Sequence, residues 1–138
     1  MAAFGSYKKG SRAENELIKK LIEVGFSAIR AAGSGGGASP CPDILAFRNV
    51  DQYGFECKAI DSPNLQLRKE QVNELKIWQA NTNITTYIAW RIRGGEWLFV
   101  RTDYLKENPK SFSISFENAK KYSQSLESIL KKQDAPPL

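Results

Sequence analysis

The chain has 138 residues, 41% of them hydrophobic, with a formal net charge of +5, two cysteines and no histidine. That length suits one compact domain with its own core, and two cysteines are too few for a disulfide framework. The missing histidine excludes Ser-His-Asp and Cys-His catalysis, any histidine general base and the common zinc sites, so hydrolytic chemistry would fall to carboxylates, lysine, hydroxyls or a metal held by oxygen.

No apolar run is long enough to cross a bilayer, and the N-terminus lacks the apolar core of a signal peptide. A cytoplasmic protein with no membrane partner is the expectation. The modest positive excess suits a polyanionic partner and equally suits an ordinary basic protein.

In chain order, residues 1–10 read as a flexible basic segment. In "SRAENELIKKLIEVGF", Ala13, Leu17, Leu21 and Val24, with Ile18 and Ile22 beside them, have helical spacing; Ser11 reads as the N-cap and Gly25 as the stop. "SAIRAA" reads as a short strand. "GSGGGASPCP", with four glycines and two prolines, is a loop. "DILAF" and "YGFECKAI" are strands joined by the turn "RNVDQ". "LQLRKEQVNELKIWQAN" reads as a second amphipathic helix, with Val72, Leu75 and Trp78 on one face. "ITTYIAWRIR" alternates, with Ile88, Trp90 and Ile92 facing one way and Tyr87, Ala89 and Arg91 the other. Gly94-Gly95 turns it into "EWLFVR" as a hairpin. "ENAKKYSQSLESILKK" reads as a last helix. The expected architecture is α/β, with a mixed sheet flanked by helices, forming one domain over residues 1–132, followed by a disordered tail, "QDAPPL".

The chemistry concentrates in "PCPDILAFRNVDQYGFECKA". Alternation along the second strand places Glu56 and Lys58 on one face and Phe55, Cys57 and Ala59 on the other. Asp43 begins the neighbouring strand, with twelve residues between it and Glu56, so the two carboxylates can converge on the sheet. Two carboxylates held together repel, and a hard cation such as Mg²⁺ relieves that with carboxylate, backbone and water oxygens. A lysine beside them can orient a water or stabilise charge on a phosphate. The plain alternative is a Glu-Lys pair on a strand face and a solvated turn aspartate. "GSGGG" is no nucleotide cradle: Pro40 and Pro42 stop a helix from opening after the glycines, and the Gly-Lys-Ser/Thr of a Walker loop is absent.

Pro42-Asp43, a spacer and Glu56-Cys57-Lys58 resemble the PD-(D/E)xK nuclease signature. "KKGSRAENELIKKLIEVGFSAIRAAGS" and "LRKEQ" narrow the likeness to the archaeal Holliday junction resolvases, over roughly residues 7 to 130. The resemblance implies a restriction-endonuclease-like fold and assigns roles by position. Glu14 matches the helix-one acid of the metal site, Arg30 a phosphate-meeting residue and Ser34 the active-site-loop serine. Asp43 and Glu56 match metal ligands, with Cys57 counted beside them, and Lys58 matches the catalytic lysine. Gln71 falls where a glutamine supports the site. Lys8, Lys9 and Arg12 are placed to grip the DNA backbone. Each has a plainer reading. Ser11-x-x-Glu14 is also a capping box, Arg30 can be a surface residue, Gln71 can be an amide that only needs buried partners, and the basic residues can be a solvated run.

The activity so implied is a Mg²⁺-dependent endodeoxyribonuclease, with Mn²⁺ able to substitute, that nicks a four-way DNA junction in paired strands and leaves 5′-phosphates. A junction with two equivalent strands matches a symmetric homodimer; recombination or repair proteins are further candidate partners. Trp90, Trp97 and Phe99 could build the dimer face or pack in the core. The rival readings are a related nuclease acting on flaps, mismatches or duplex, a catalytically silent junction-binding scaffold, and, more distantly, a small-molecule enzyme.

Overall fold

The computed structural model describes residues 2–31, 41–92 and 94–131, with side chains from 12 to 130 within those stretches. Four helices and eight strands follow in order: α1 (Ala2–Glu23), β1 (Ser27–Arg30), β2 (Ile44–Arg48), β3 (Asp51–Ala59), β4 (Asn64–Arg68), α2 (Lys69–Thr82), β5 (Thr85–Arg91), β6 (Trp97–Arg101), a 3₁₀ turn (Thr102–Tyr104), β7 (Lys106–Glu107), β8 (Ser111–Ser115), α3 (Phe116–Tyr122) and α4 (Leu126–Lys131). The central sheet has the order β1-β2-β3-β5-β6. Only β3 and β5 run parallel, joined by a crossover through β4 and α2; the other neighbours are antiparallel. The mixed α/β architecture expected from the sequence is the one observed.

Alternation on β3 and β5 sorts the core into two layers. Tyr53, Phe55, Tyr87 and Ala89 pack with Leu17 and Leu21 of α1 and Ile129 and Leu130 of α4. Ile88 and Trp90 pack on the other face with Val72 and Leu75 of α2 and with the small sheet β4-β8-β7. Helix α1 therefore lies on one face of the sheet and α2 on the other, and both pass the C-terminal end of β3.

Ala13, Leu17 and Leu21 form the buried stripe of α1. The helix stops as the sequence indicates: Gly25 has φ +92°, its N–H donates to Ile22 O at 3.0 Å and the Phe26 N–H to Leu21 O at 3.0 Å. This is the Schellman pairing, in which a glycine takes the left-handed conformation. The start differs. The helix runs continuously from Ala2, so Ser11 lies inside it and is no N-cap. Residues 2–10, read as a separate basic segment, continue the same helix; an internal glycine weakens a helix by about 1 kcal/mol without ending it.

Two further expectations are corrected, and a third, left open, is described. "NLQLR" is a strand, β4, rather than the start of α2; its Leu65 and Leu67 are buried in period two and pair with Ile114 and Phe112 of β8. The last helix is two. Ser115 caps α3 through the Asn118 N–H, Ser125 caps α4 through the Ser128 N–H, and between them the Gln124 N–H donates to Phe99 O. Serines favour helix ends over helix interiors because their hydroxyls compete for backbone N–H groups. Finally, Trp90 and Phe99 are buried and Trp97 partly so, stacked on Phe99. Of the two uses left open for these aromatics, core packing is the one observed. The expected tail, residues 133–138, lies outside the described residues.

Candidate active site

The site forms where β2 begins and β3 ends. Ile44 pairs with Phe55, so Asp43, one residue earlier, stands beside Glu56. Two features fix Asp43. Its backbone carbonyl accepts the Ala31 N–H at 2.8 Å, and its Oδ2 accepts the Cys57 N–H at 2.9 Å. The preceding Pro42 is buried against Gly54 of β3, where an added Cβ would lie 3.0 Å from Pro42 Cγ. Gly54 thus lets the proline seat directly on the strand that carries Glu56.

Glu56 is 6% exposed. Its Oε2 accepts from Gln71 Nε2 at 2.9 Å, and Gln71 Oε1 accepts from Lys58 Nζ at 3.3 Å. Gln71, in the first turn of α2, therefore bridges the acid and the base of one strand face. Its amide uses its oxygen and nitrogen oppositely, which fixes both neighbours at once.

The electrostatics follow from burial. Burial above all, with the Asp43 charge next, pushes Glu56 up to about 8. Asp43 is also raised by burial, against the lowering pull of the Cys57 N–H and Lys58. The two carboxyls also bear on each other directly, which raises Glu56 and lowers Asp43. Such a pair is short of positive charge when both groups ionise. Two hard oxygen donors on rigid strands suit a hard divalent cation, which takes one or two carboxylates and completes its shell with water and phosphate oxygen. Among the described residues no three Cys, Asp or Glu side chains group tightly enough to hold a metal alone.

The other expected residues separate. Glu14 stands near enough to Asp43 for its pKa to be raised by burial and by that charge, but its carboxylate accepts from Arg30 Nε at 2.6 Å. It lies in the interior of α1, which removes the capping-box reading. Arg30 is 38% exposed, an arginine oriented by Glu14 beside the acids. The Cys57 side chain packs against the α1-side core, and burial raises its thiol well above the usual value; it serves Asp43 through its backbone N–H. Arg12 is exposed. Ser34 and the side chains of Lys8 and Lys9 lie outside the described residues.

Sequence reading missed one cluster beside the site. Glu16 accepts from Arg91 Nε, 3.1 Å to each carboxylate oxygen, and from Trp97 Nε1 at 2.6 Å. The Arg91 hydrogen bond, ahead of the other contacts, holds the Glu16 carboxyl below its usual value. The available signal was the helical wheel: Glu14 and Glu16 flank the Ala13-Leu17-Leu21 stripe on opposite sides, so both must meet the sheet.

Comparison with known proteins bears directly on this geometry. Residues 5–135 match the family described as archaeal Holliday junction resolvase (Hjc). The chain belongs to that family. It is 33% identical over 106 residues to the crossover junction endodeoxyribonuclease Hjc of Archaeoglobus fulgidus, covering 77% of this chain and 78% of the relative. It is 33% identical over 108 residues to the Hjc of Methanocaldococcus jannaschii, covering 78% and 77%. The solved structure of the Archaeoglobus fulgidus Hjc, a Holliday junction resolvase, superposes with a TM-score of 0.79 at 28% identity, covering 89% of this chain and 96% of that one. A bacterial homing endonuclease, I-Ssp6803I, shares the fold alone, with a TM-score of 0.55 at 10% identity. Asp43, Glu56, Lys58 and Gln71 thus sit in a fold that Hjc proteins share.

Proposed function

We propose that the chain is a structure-selective endonuclease that resolves four-way DNA junctions by phosphodiester hydrolysis, at the site formed by Asp43, Glu56, Lys58 and Gln71. The observation that carries this reading is the pairing of Asp43 with the buried Glu56, tied through Gln71 to Lys58. In a family of junction resolvases, that set supplies what histidine-free hydrolysis needs.

Asp43 and Glu56 would hold a divalent cation, Mg²⁺ with Mn²⁺ as substitute; when bound it would polarise the phosphoryl group and favour hydroxide over water. Glu56 must lose its proton to take that part, which the raised value sets against it in the free protein. Lys58 orients the attacking water and stabilises charge on the phosphoryl oxygens. Gln71 keeps Lys58 and Glu56 in register, a positioning role. Arg30, held by Glu14, meets a phosphate of the cut strand, and Arg12 is placed to do the same. The water oxygen bonds to phosphorus as the P–O3′ bond breaks, leaving a 5′-phosphate and a 3′-hydroxyl.

Branch shape, not base sequence, is the recognised feature, since phosphate contacts carry no sequence information. A four-way junction offers two equivalent strands, so a two-fold symmetric homodimer would place one site on each. The substrate would be met in the cytoplasm; no helix among the described residues is long and apolar enough to cross a membrane. The test compares a labelled four-way junction with a linear duplex of its arm sequence, in Mg²⁺ and in EDTA. Metal-dependent paired cuts in the junction alone are expected. Equal cutting of both would discard the junction reading while keeping the nuclease, and binding without cutting would leave a scaffold.

A further inference from the structure

The missed cluster is the strongest feature outside the cutting site. Along the sheet the order is Arg30 on β1, Asp43 before β2, Glu56 and Lys58 on β3, Arg91 on β5 and Trp97 on β6. Arg91 pairs with Ala59 across the parallel β3–β5 ladder, one position beyond Lys58. It therefore stands at the same end of the sheet as the acids, with its side chain on the α1 face while Glu56 and Lys58 face α2. Arg30 and Arg91 bracket them, and helix α1 supplies a carboxylate to each: Glu14 to Arg30, Glu16 to Arg91.

The two pairs are alike in chemistry and exposure. The Arg91 side chain is 28% exposed and Glu16 34%. Glu16 engages Nε and Nη2 of the guanidinium, and that group has further N–H donors on Nη1. The hairpin turn lies against the engaged side of the group: a Cβ added at Gly95 would be 3.5 Å from Arg91 Nη2, in van der Waals contact. Trp97 Nε1 fixes the carboxylate from the other side at 2.6 Å, so the arginine is held in one orientation before any ligand arrives.

We propose that Arg91, oriented by Glu16 and Trp97, is a second phosphate-binding arginine of the cut strand. It would act on the side of the acids opposite Arg30. Three strand intervals of about 4.8 Å separate β1 from β5, so the two arginines are about 14 Å apart, a span of roughly four nucleotides at 3.4 Å rise. The strand to be cut would then run across the ends of β2 and β3 between two fixed guanidinium groups. This rests on the nuclease reading above, and it assigns the direction in which the strand crosses the site.

The test is the salt dependence of binding to a labelled four-way junction in EDTA, with linear duplex of the arm sequence measured alongside. Each phosphate contact adds about 0.9 to the slope of log K against log salt. Arg91→Gln keeps a donor for Glu16 but removes the charge. It should lower the slope by about one and weaken binding about tenfold at low salt, as loss of a charge-assisted hydrogen bond does. Arg91→Lys, which keeps the positive charge, should keep the wild-type slope. An unchanged slope in Arg91→Gln would overturn the proposal, as would an equal fall of slope in Arg91→Lys. If wild-type protein bound junction and duplex alike, the junction reading would fail, and the slopes measured on duplex would still decide Arg91.

Discussion

Glu56 makes the metal-free protein less stable as pH rises. Its carboxyl titrates near 4.5 in an unfolded chain and is pushed up to about 8 in the fold by burial and by Asp43. Between those values the folded state holds a proton that the unfolded state has released. Stability therefore falls with pH across that window and levels off above it. At about 1.4 kcal/mol per pH unit, the full displacement would amount to on the order of 5 kcal/mol. Relaxation and water entry reduce that, and we expect a loss of about 2–4 kcal/mol between about pH 5.5 and about pH 9. Asp43 is displaced in the same direction by burial. The assay is urea unfolding in EDTA at both pH values, for wild type and for Glu56→Gln. The glutamine has no proton to lose, so its stability should change much less. Mg²⁺ should stabilise wild type more at the higher pH, where the carboxylates are free to bind it. A wild-type stability that is flat or rises over this range would refute the electrostatic account of the site.

Other substitutions probe separate parts of the structure. Lys58→Ala should slow single-turnover cleavage by about 100-fold or more while leaving junction binding within a few-fold, because the lysine acts in the transition state. Gln71→Ala removes the bridge between Glu56 and Lys58; we expect a slower chemical step with binding retained, and an unaltered rate would reduce Gln71 to a buried amide. Leu17→Ala empties a position that is 0% exposed under α1 and should destabilise by about 2–5 kcal/mol in denaturant unfolding; a smaller loss would mean that the α1 stripe is not fixed on the sheet.

The central strands were legible because local chemistry and tertiary demand agree there. Period-two alternation on β3 and β5 identified the faces of Glu56, Lys58, Ile88 and Trp90 correctly, and Gly25 stopped α1 where a glycine was needed. The small sheet was not legible. β4 is a five-residue strand that runs directly into α2 with no side-chain cap at Arg68, so its leucines also fit a helical face. The split between α3 and α4 was written in the serines, yet the long charged run read as one helix. At the site, the proximity of Asp43 and Glu56 followed from strand order alone. The bridge through Gln71 required the crossover of α2, and the Glu16–Arg91–Trp97 cluster required the register of the hairpin. Long-range pairings of that kind leave no local period to read.

The most direct measurement is single-turnover cleavage of a labelled four-way junction by Asp43→Asn beside wild type, with junction binding and thermal unfolding recorded on the same samples. The amide keeps an oxygen to accept the Cys57 N–H but loses the charge that would hold the cation. The account predicts a folded protein that binds the junction and does not cut it in Mg²⁺. Cleavage at the wild-type rate by that variant would contradict the assignment of the Asp43–Glu56 site.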